Sequence, residues 1–337
     1  MSLPVLWYVL IAVLFTGYLV LEGFDYGVGI LLPWVGHSDT ERRAVLATIG
    51  PVWDANEVWL ITAGGAMFAA FPLWYASLFS AFYGGLALLL VSLIVRGVAL
   101  EFRSQDRHPT WRRRWDYLIA GSSAVPPLVW GLAMGNVLHG IPLNAQGNFT
   151  GSLATILNPY ALVGAAAALS LLTLHGALYL TLKAPIPVSD RAYRAAFRVG
   201  PVATVFYFAF VLMSYFDAHF IHRLGVDPGP IPILAGLGMV TVRLLLPRRN
   251  HPWAFWMGLL TIILSTASVF LALYPDLMIS SLNPAWSLTV PNAAANPYSL
   301  KVMTIVAITV LPLVLAYQAW TYWIFRRRIS LNETFHY

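Results

Sequence analysis

The chain has 337 residues, 59% of them hydrophobic and only 10% charged. Soluble domains carry roughly 25% charged residues, and so few charges cannot cover a soluble particle of this size. A cytosolic enzyme, a disordered chain and a coiled coil are excluded, and the net charge of +6 fits the basic cytoplasmic loops of an integral membrane protein, not a nucleic-acid partner.

No basic segment precedes the first apolar run, which continues beyond signal-peptide length and reads as a retained span. A span needs roughly 20 mostly apolar residues. Nine candidates follow in order, at about 5–33, 50–71, 76–101, 116–138, 157–182, 199–221, 231–247, 253–274 and 299–326, within a single polytopic domain over 1–337. The predicted class is an all-α integral membrane protein. The second candidate opens on Pro51 and holds Asp54, Asn56 and Glu57, so a re-entrant segment is its alternative.

Loop charge decides between them. With nine spans, 17 of the 20 Lys and Arg residues fall on one side: Arg42 and Arg43, the Arg103–Arg114 group, Lys183 to Arg198, Arg243 to Arg249, and Arg326 to Arg328. The positive-inside rule then places the N-terminus outside and the C-terminus in the cytoplasm. The outer loops at 139–156 and 275–298 hold one acid and no Lys or Arg, and are expected to be ordered caps. No tandem repeat or low-complexity segment is present.

Ionisable groups inside spans are costly and mark pathways, sites or subunit contacts. Glu22 and Asp25 lie toward the inner end of the first span, Asp54 and Glu57 in the opening turns of the second, and Arg96 and Glu101 at the same level of the third. Glu22 and Asp25 are three residues apart, as are Asp54 and Glu57, so each pair shares a helix face. Like charges this close in a low dielectric favour shared protons unless Arg96 or a cation neutralises them, which suits proton conduction. The plainer alternative is helix-end carboxylates near the headgroups, with Arg96 and Glu101 as a structural ion pair.

The absence of cysteine removes disulfides, thiolate metal sites, iron–sulfur clusters and covalent haem. Of eight His, only His175 is well inside a span. His37, His108, His251 and His336 fall in cytoplasmic segments, and His139, His219 and His222 at outer span ends. A lone buried His reads as a hydrogen-bonded core residue, so no haem and no metal is expected on this chain, a Met ligand being the open exception. Trp7, Trp34, Trp74, Trp286 and Trp323 read as interface anchors near span ends. Gly27 and Gly29, Gly64 and Gly65, and Gly84 and Gly85 read as sites of close helix approach.

Five stretches point to a family: LEGFDYGVGIL from Leu21, DTERRAVLATIGPVWDANEVWLITAGGAMFAAFP from Asp39, Arg96 to Arg103, GNVLHGIPLN from Gly135, and LKVMTIVAITVLPLVLAYQAWTYWIFRRRIS from Leu300. Through them the chain resembles, almost end to end, subunit II of cytochrome bd-type quinol oxidases. The resemblance implies two four-helix bundles plus a peripheral helix, in a bacterial cytoplasmic membrane. It implies a haem-free subunit beside a haem-bearing subunit I, which holds haem b, haem d (or b) and the site of quinol oxidation. It further implies a cytoplasmic proton route through Asp54 of the WD motif, with Asp25 as a second member. Glu22, Glu57, Arg96 and Glu101 join by depth and proximity only, and no catalytic or cofactor-binding residue is assigned here. A structural quinone in this chain and a small single-span accessory subunit are left open by the resemblance. From residues alone, the competing reading is a cation- or proton-coupled secondary transporter using the same carboxylates.

Overall fold

Proline and asparagine punctuate the chain where helices begin. The computed structural model describes residues 1–217 and 230–331. In it a proline occupies the first turn of α1 (Leu3–Val35), α6 (Pro109–His139), α8 (Pro159–Lys183), α11 (His251–Leu273) and α13 (Pro297–Ile324). Its missing N–H is no loss there and its fixed φ suits a first turn. Asn158 and Asn296 cap α8 and α13 by accepting from the Ala161 and Ser299 amides.

Among the described residues seven helices are long and apolar enough to cross a membrane: α1, α5 (Tyr83–Phe102), α6, α8, α9 (Ile186–Asp217), α11 and α13. Two more are shorter, α10 (Pro230–Leu245) with 16 residues and α3 (Trp53–Ala70) with 18 residues and two acids.

Three expectations need correction. The apolar run at 76–101 is not one helix: α3 ends at Ala70, α4 (Pro72–Ala81) follows, and the chain turns again at Phe82 before α5. Pro72 offers no amide and disfavours helix at the residue before it, so α3 stops there. The helix expected from 199 begins at Ile186, because the segment bearing Asp190, Arg191, Arg194 and Arg198 extends the helix beyond its apolar part. His219, His222 and the expected end of that span at 221, like His336, lie outside the described residues. Third, Trp7 and Trp74 are 5% and 4% exposed and belong to the core, whereas Trp34 and Trp323 do face outward.

Helix α1 runs through the centre, packed on α3, α6, α8 and α11. Helices α1, α3, α5 and α6 form one group and α8 to α11 a second, joined where α1 and α6 meet α8. In lipid, helix association depends on close packing, and small residues permit it. A Cβ on Gly27 would lie 2.3 Å from the Leu172 carbonyl oxygen, and one on Gly131 would lie 2.3 Å from that of Gly164. Gly29 likewise abuts Ser123. The other expected glycines do not serve this purpose within the chain: Gly64, Gly65 and Gly84 have nothing within 4 Å of a built Cβ, and Gly85 meets only Val129 at 3.7 Å.

The two ends differ chemically. At one, the loops after α6 and α11 join into a single cap. Ile141 N–H donates to the Ile279 carbonyl, Ser281 N–H to that of Ile141, and Ser280 Oγ to that of Leu143. Within it α7 (Leu153–Ile156) and α12 (Val290–Ala293) are single turns, and β1 (Asp276–Met278) pairs antiparallel with β2 (Leu288–Thr289). The opposite end is rich in arginine. There α2 (Asp39–Ile49) starts on a capping box of Ser38 and Glu41, and Arg103, 0% exposed, binds Asp116 at 2.5 Å and Asp39 at 3.0 Å. Arg42 also reaches Asp116, at 2.7 Å.

Helix α13 is peripheral, with Leu300 its one buried side chain. Polar bonds pin it at three levels. Trp7 Nε1 donates to the Leu300 carbonyl and Thr304, Trp59 Nε1 to Gln318, and at the arginine-rich end Arg328 donates to the carbonyls of Thr181 and Leu182.

Candidate functional site

In the half of α1 nearer the arginine-rich end, Glu22 and Asp25 are both 0% exposed, and Arg96 of α5 is 1% exposed beside them. Arg96 Nη1 donates to Glu22 Oε1. The guanidinium lies over the Tyr26 ring at 4.9 Å and the Trp53 ring at 5.9 Å, where the ring faces attract a cation. Tyr26 and Tyr18 share a hydrogen bond of 2.9 Å between their hydroxyls. Asp25 Oδ2 accepts from Asn56 Nδ2 at 2.7 Å. Glu57, half-buried on α3, stands within electrostatic reach of the pair.

The cluster is incompletely paired. Glu22 Oε2, Asp25 Oδ1 and two Arg96 nitrogens are buried and receive or make no conventional hydrogen bond among the described residues, although the Glu22 and Asp25 carboxyls lie within hydrogen-bonding reach of each other. Burying an ion pair costs several kcal/mol per ion and is recovered only when the remaining polar atoms are also satisfied. A fold that needed only stability would place apolar residues here, so the arrangement points to function. Chemically, it offers carboxyl oxygens free to exchange a proton beside a fixed positive charge.

The remaining two candidates are not buried. Asp54 is exposed in the first turn of α3, where the helix dipole favours an acid, and Glu101 is exposed at the end of α5. Arg96 pairs with Glu22, so the alternative in which it pairs with Glu101 is not what forms.

His175 is packed as a core residue. Its ring stacks on Phe255 at 5.1 Å, meets Phe24 edge-on at 5.9 Å, and uses Nε2 on the Val20 carbonyl at 3.1 Å. A cavity of about 720 Å³ opens between α1, α3, α4, α5, α6 and the end of α11, and its wall is apolar, with Phe15, Leu60, Gly64, Leu93, Trp130 and Phe270 among its lining.

The profile of the family described as cytochrome bd terminal oxidase subunit II matches residues 3–325. The chain belongs to this family. It is 38% identical over 336 residues to the cytochrome bd ubiquinol oxidase subunit 2 of Bacillus subtilis, covering 100% of this chain and 99% of the relative. It is 36% identical over 362 residues to the cytochrome bd-I ubiquinol oxidase subunit 2 of Escherichia coli K12, covering 97% and 95%. A solved chain of the bd oxidase from Geobacillus thermodenitrificans shares the fold, with a TM-score of 0.77 at 17% identity over 96% of this chain and 99% of that one.

As a subunit II of cytochrome bd oxidase, the chain is part of a terminal oxidase complex of electron transport, paired with a subunit I. It is a multi-pass protein of the bacterial cytoplasmic membrane. Family membership favours this reading over a coupled transporter. Charge-based reasoning missed the uncharged partners of the site: Asn56, which donates to Asp25, and the half-buried Gln318 and Tyr322 of α13, which donate to Asn56 Oδ1. The one signal available was Asn56 lying between two acids of the WDANEVW motif.

Proposed function

We propose that this chain is the haem-free subunit of a complex that oxidises membrane quinol and reduces dioxygen to water. It supports assembly and supplies a cytoplasmic proton-entry route to the haem-bearing subunit I. The observation that carries the route is the buried, incompletely paired group of Glu22, Asp25 and Arg96 in a chain of this family.

Haem b and haem d, or b, in the partner supply the electron transfer and oxygen chemistry. This chain's residues handle protons. Asp54 and Glu101, exposed toward the arginine-rich end, collect them, and Glu57 stands between Asp54 and the buried group. Glu22 and Asp25 hold them out of water, and Arg96 offsets the charge of whichever carboxyl is ionised. The chain crosses nine times, N-terminus outside, with the arginine-rich end in the cytoplasm. The apolar cavity beside α3 and α5 would offer the isoprenoid tail of a structural quinone dispersion contacts and few polar ones.

The test is to tag this chain, purify it in mild detergent, and record a reduced-minus-oxidised optical spectrum beside quinol-driven oxygen uptake. Haem bands that travel with a larger second chain, together with oxygen uptake, are expected. A colourless, solitary and inactive protein would overturn the proposal.

A further inference from the structure

Asn56 is 0% exposed, with both ends of its amide engaged. Its Nδ2 donates to Asp25 Oδ2 at 2.7 Å and to the Leu21 carbonyl at 3.3 Å. Its Oδ1 accepts from the Tyr322 hydroxyl at 2.9 Å and from Gln318 Nε2 at 3.2 Å. Gln318 Oε1 in turn accepts from Trp59 Nε1 at 2.9 Å. A backbone carbonyl only accepts and an indole N–H only donates, so these two groups fix which way both amides point. The bond directions therefore follow from the chemistry of the partners.

For Asp25 the result is asymmetric. One oxygen faces an amide N–H that cannot take a proton; the other is buried and receives no N–H or O–H among the described residues, and apart from Asn56 only the Glu22 carboxyl lies within hydrogen-bonding reach of Asp25. We propose that Asn56 is the positioning residue for Asp25, holding Oδ2 as a standing acceptor and leaving Oδ1 as the oxygen that gains and gives up the proton. The step is one O–H bond formed at Oδ1 and then broken as the proton passes on, with no electron moved. This rests on the reading of Asp25 as a member of the proton route.

Asn56 has a second position of consequence. It lines a crevice of about 180 Å³ between α3 and α13, with Thr62, Gln318, Thr321 and Tyr322, while Asp25 lies behind it. The amide thus closes the crevice on the side facing the acid. Through it, the peripheral helix α13 bears directly on the orientation of a carboxyl group on α1.

The charged and titratable groups around Asp25 are Glu22 on its own helix, Glu57 on α3, Arg96 on α5, Tyr179 on α8 and Tyr322 on α13. None of these changes in Asn56→Ala, so a displaced pH profile in that variant reports the amide. The experiment uses the assembled two-subunit oxidase and follows quinol-driven oxygen uptake against pH for the parent, Asp25→Asn, Asn56→Ala and Tyr322→Phe. For Asn56→Ala the profile's midpoint is expected to move by about one pH unit or more at unchanged haem content, the scale set by losing a hydrogen bond to a charged group. Tyr322→Phe leaves the bond to Asp25 in place and is expected to move it less.

An Asn56→Ala profile that superimposes on the parent's, while Asp25→Asn is slow, would overturn the positioning role and leave the route standing. Asp25→Asn turning over at the parent's rate would remove the route and the positioning with it. Should Asn56→Ala yield no assembled complex, the nearly isosteric Asn56→Leu removes the same N–H while filling its space. That variant must then move the midpoint, and an unmoved midpoint overturns the proposal.

Discussion

Arg103 and Asp116, 0% and 1% exposed, form an ion pair that holds α5 to α6 and, through Asp39 and Arg42, to α2. Removing one partner strands the other in a dry site, so Asp116→Ala should cost about 3–5 kcal/mol of stability, read as a lower apparent melting temperature of the purified complex. Replacing both by apolar residues of similar volume should cost far less, and equal losses would argue against the pairing. Glu41, outside the spans, behaves differently. Partial burial opposes its ionisation, but Arg191 and the amides of His37 and Ser38 outweigh this and hold its carboxyl below the usual range. A lowered carboxyl contributes stability above its unfolded value near about 4.3, and that contribution is lost as pH falls through the lowered folded value. The parent should therefore exceed Glu41→Gln by up to about 1 kcal/mol at neutral pH, with the gap closing below about pH 4. Melting curves of both proteins across pH check it, and a gap that widened in acid would contradict it. At this scale, Glu22, Asp25 and Arg96 were legible because a charge within an apolar run is conspicuous. Asn56 and Gln318 were not, since neutral polar residues carry no such signal and this pair is separated by 262 positions in sequence.

Between elements, glycine marks where helices touch. Gly27→Ala would force α1 and α8 apart or drive the new methyl into the Leu172 carbonyl, a cost of about 1–3 kcal/mol. Gly121→Ala, on an exposed face with nothing within 4 Å, should be neutral or slightly stabilising. Comparing their yields of assembled, haem-containing complex separates contact from propensity, and equal yields would show that the α1–α8 crossing tolerates a methyl group. Hydropathy gave helix locations well but hid the turn at Phe82, because α4 and α5 are both apolar and the window runs through the break. Pro72 marks only the earlier break, between α3 and α4. For the peripheral helix, composition reveals nothing of what pins it: α13 is as apolar as a core helix, yet buries one residue and is held by Trp7, Trp59 and Asn56 from other helices.

For the whole molecule, the absence of cysteine makes orientation directly measurable. With the N-terminus outside, an impermeant thiol reagent should label Gln146→Cys in intact cells with a permeable outer layer and leave Arg107→Cys unlabelled until the membrane is opened. The reverse pattern would invert the topology. The central claim is that the buried carboxylates of α1, with Asp54 and Glu57 of α3, carry protons for a reaction completed in the partner subunit. It is tested most directly by quinol-driven oxygen uptake in complexes carrying Glu22→Gln or Asp54→Asn, measured beside the haem spectrum of the same samples. The account predicts intact haem bands and turnover lower by about tenfold or more, equivalent to about 1.4 kcal/mol on the limiting step. Parental turnover in both variants, with the haems in place, would contradict it.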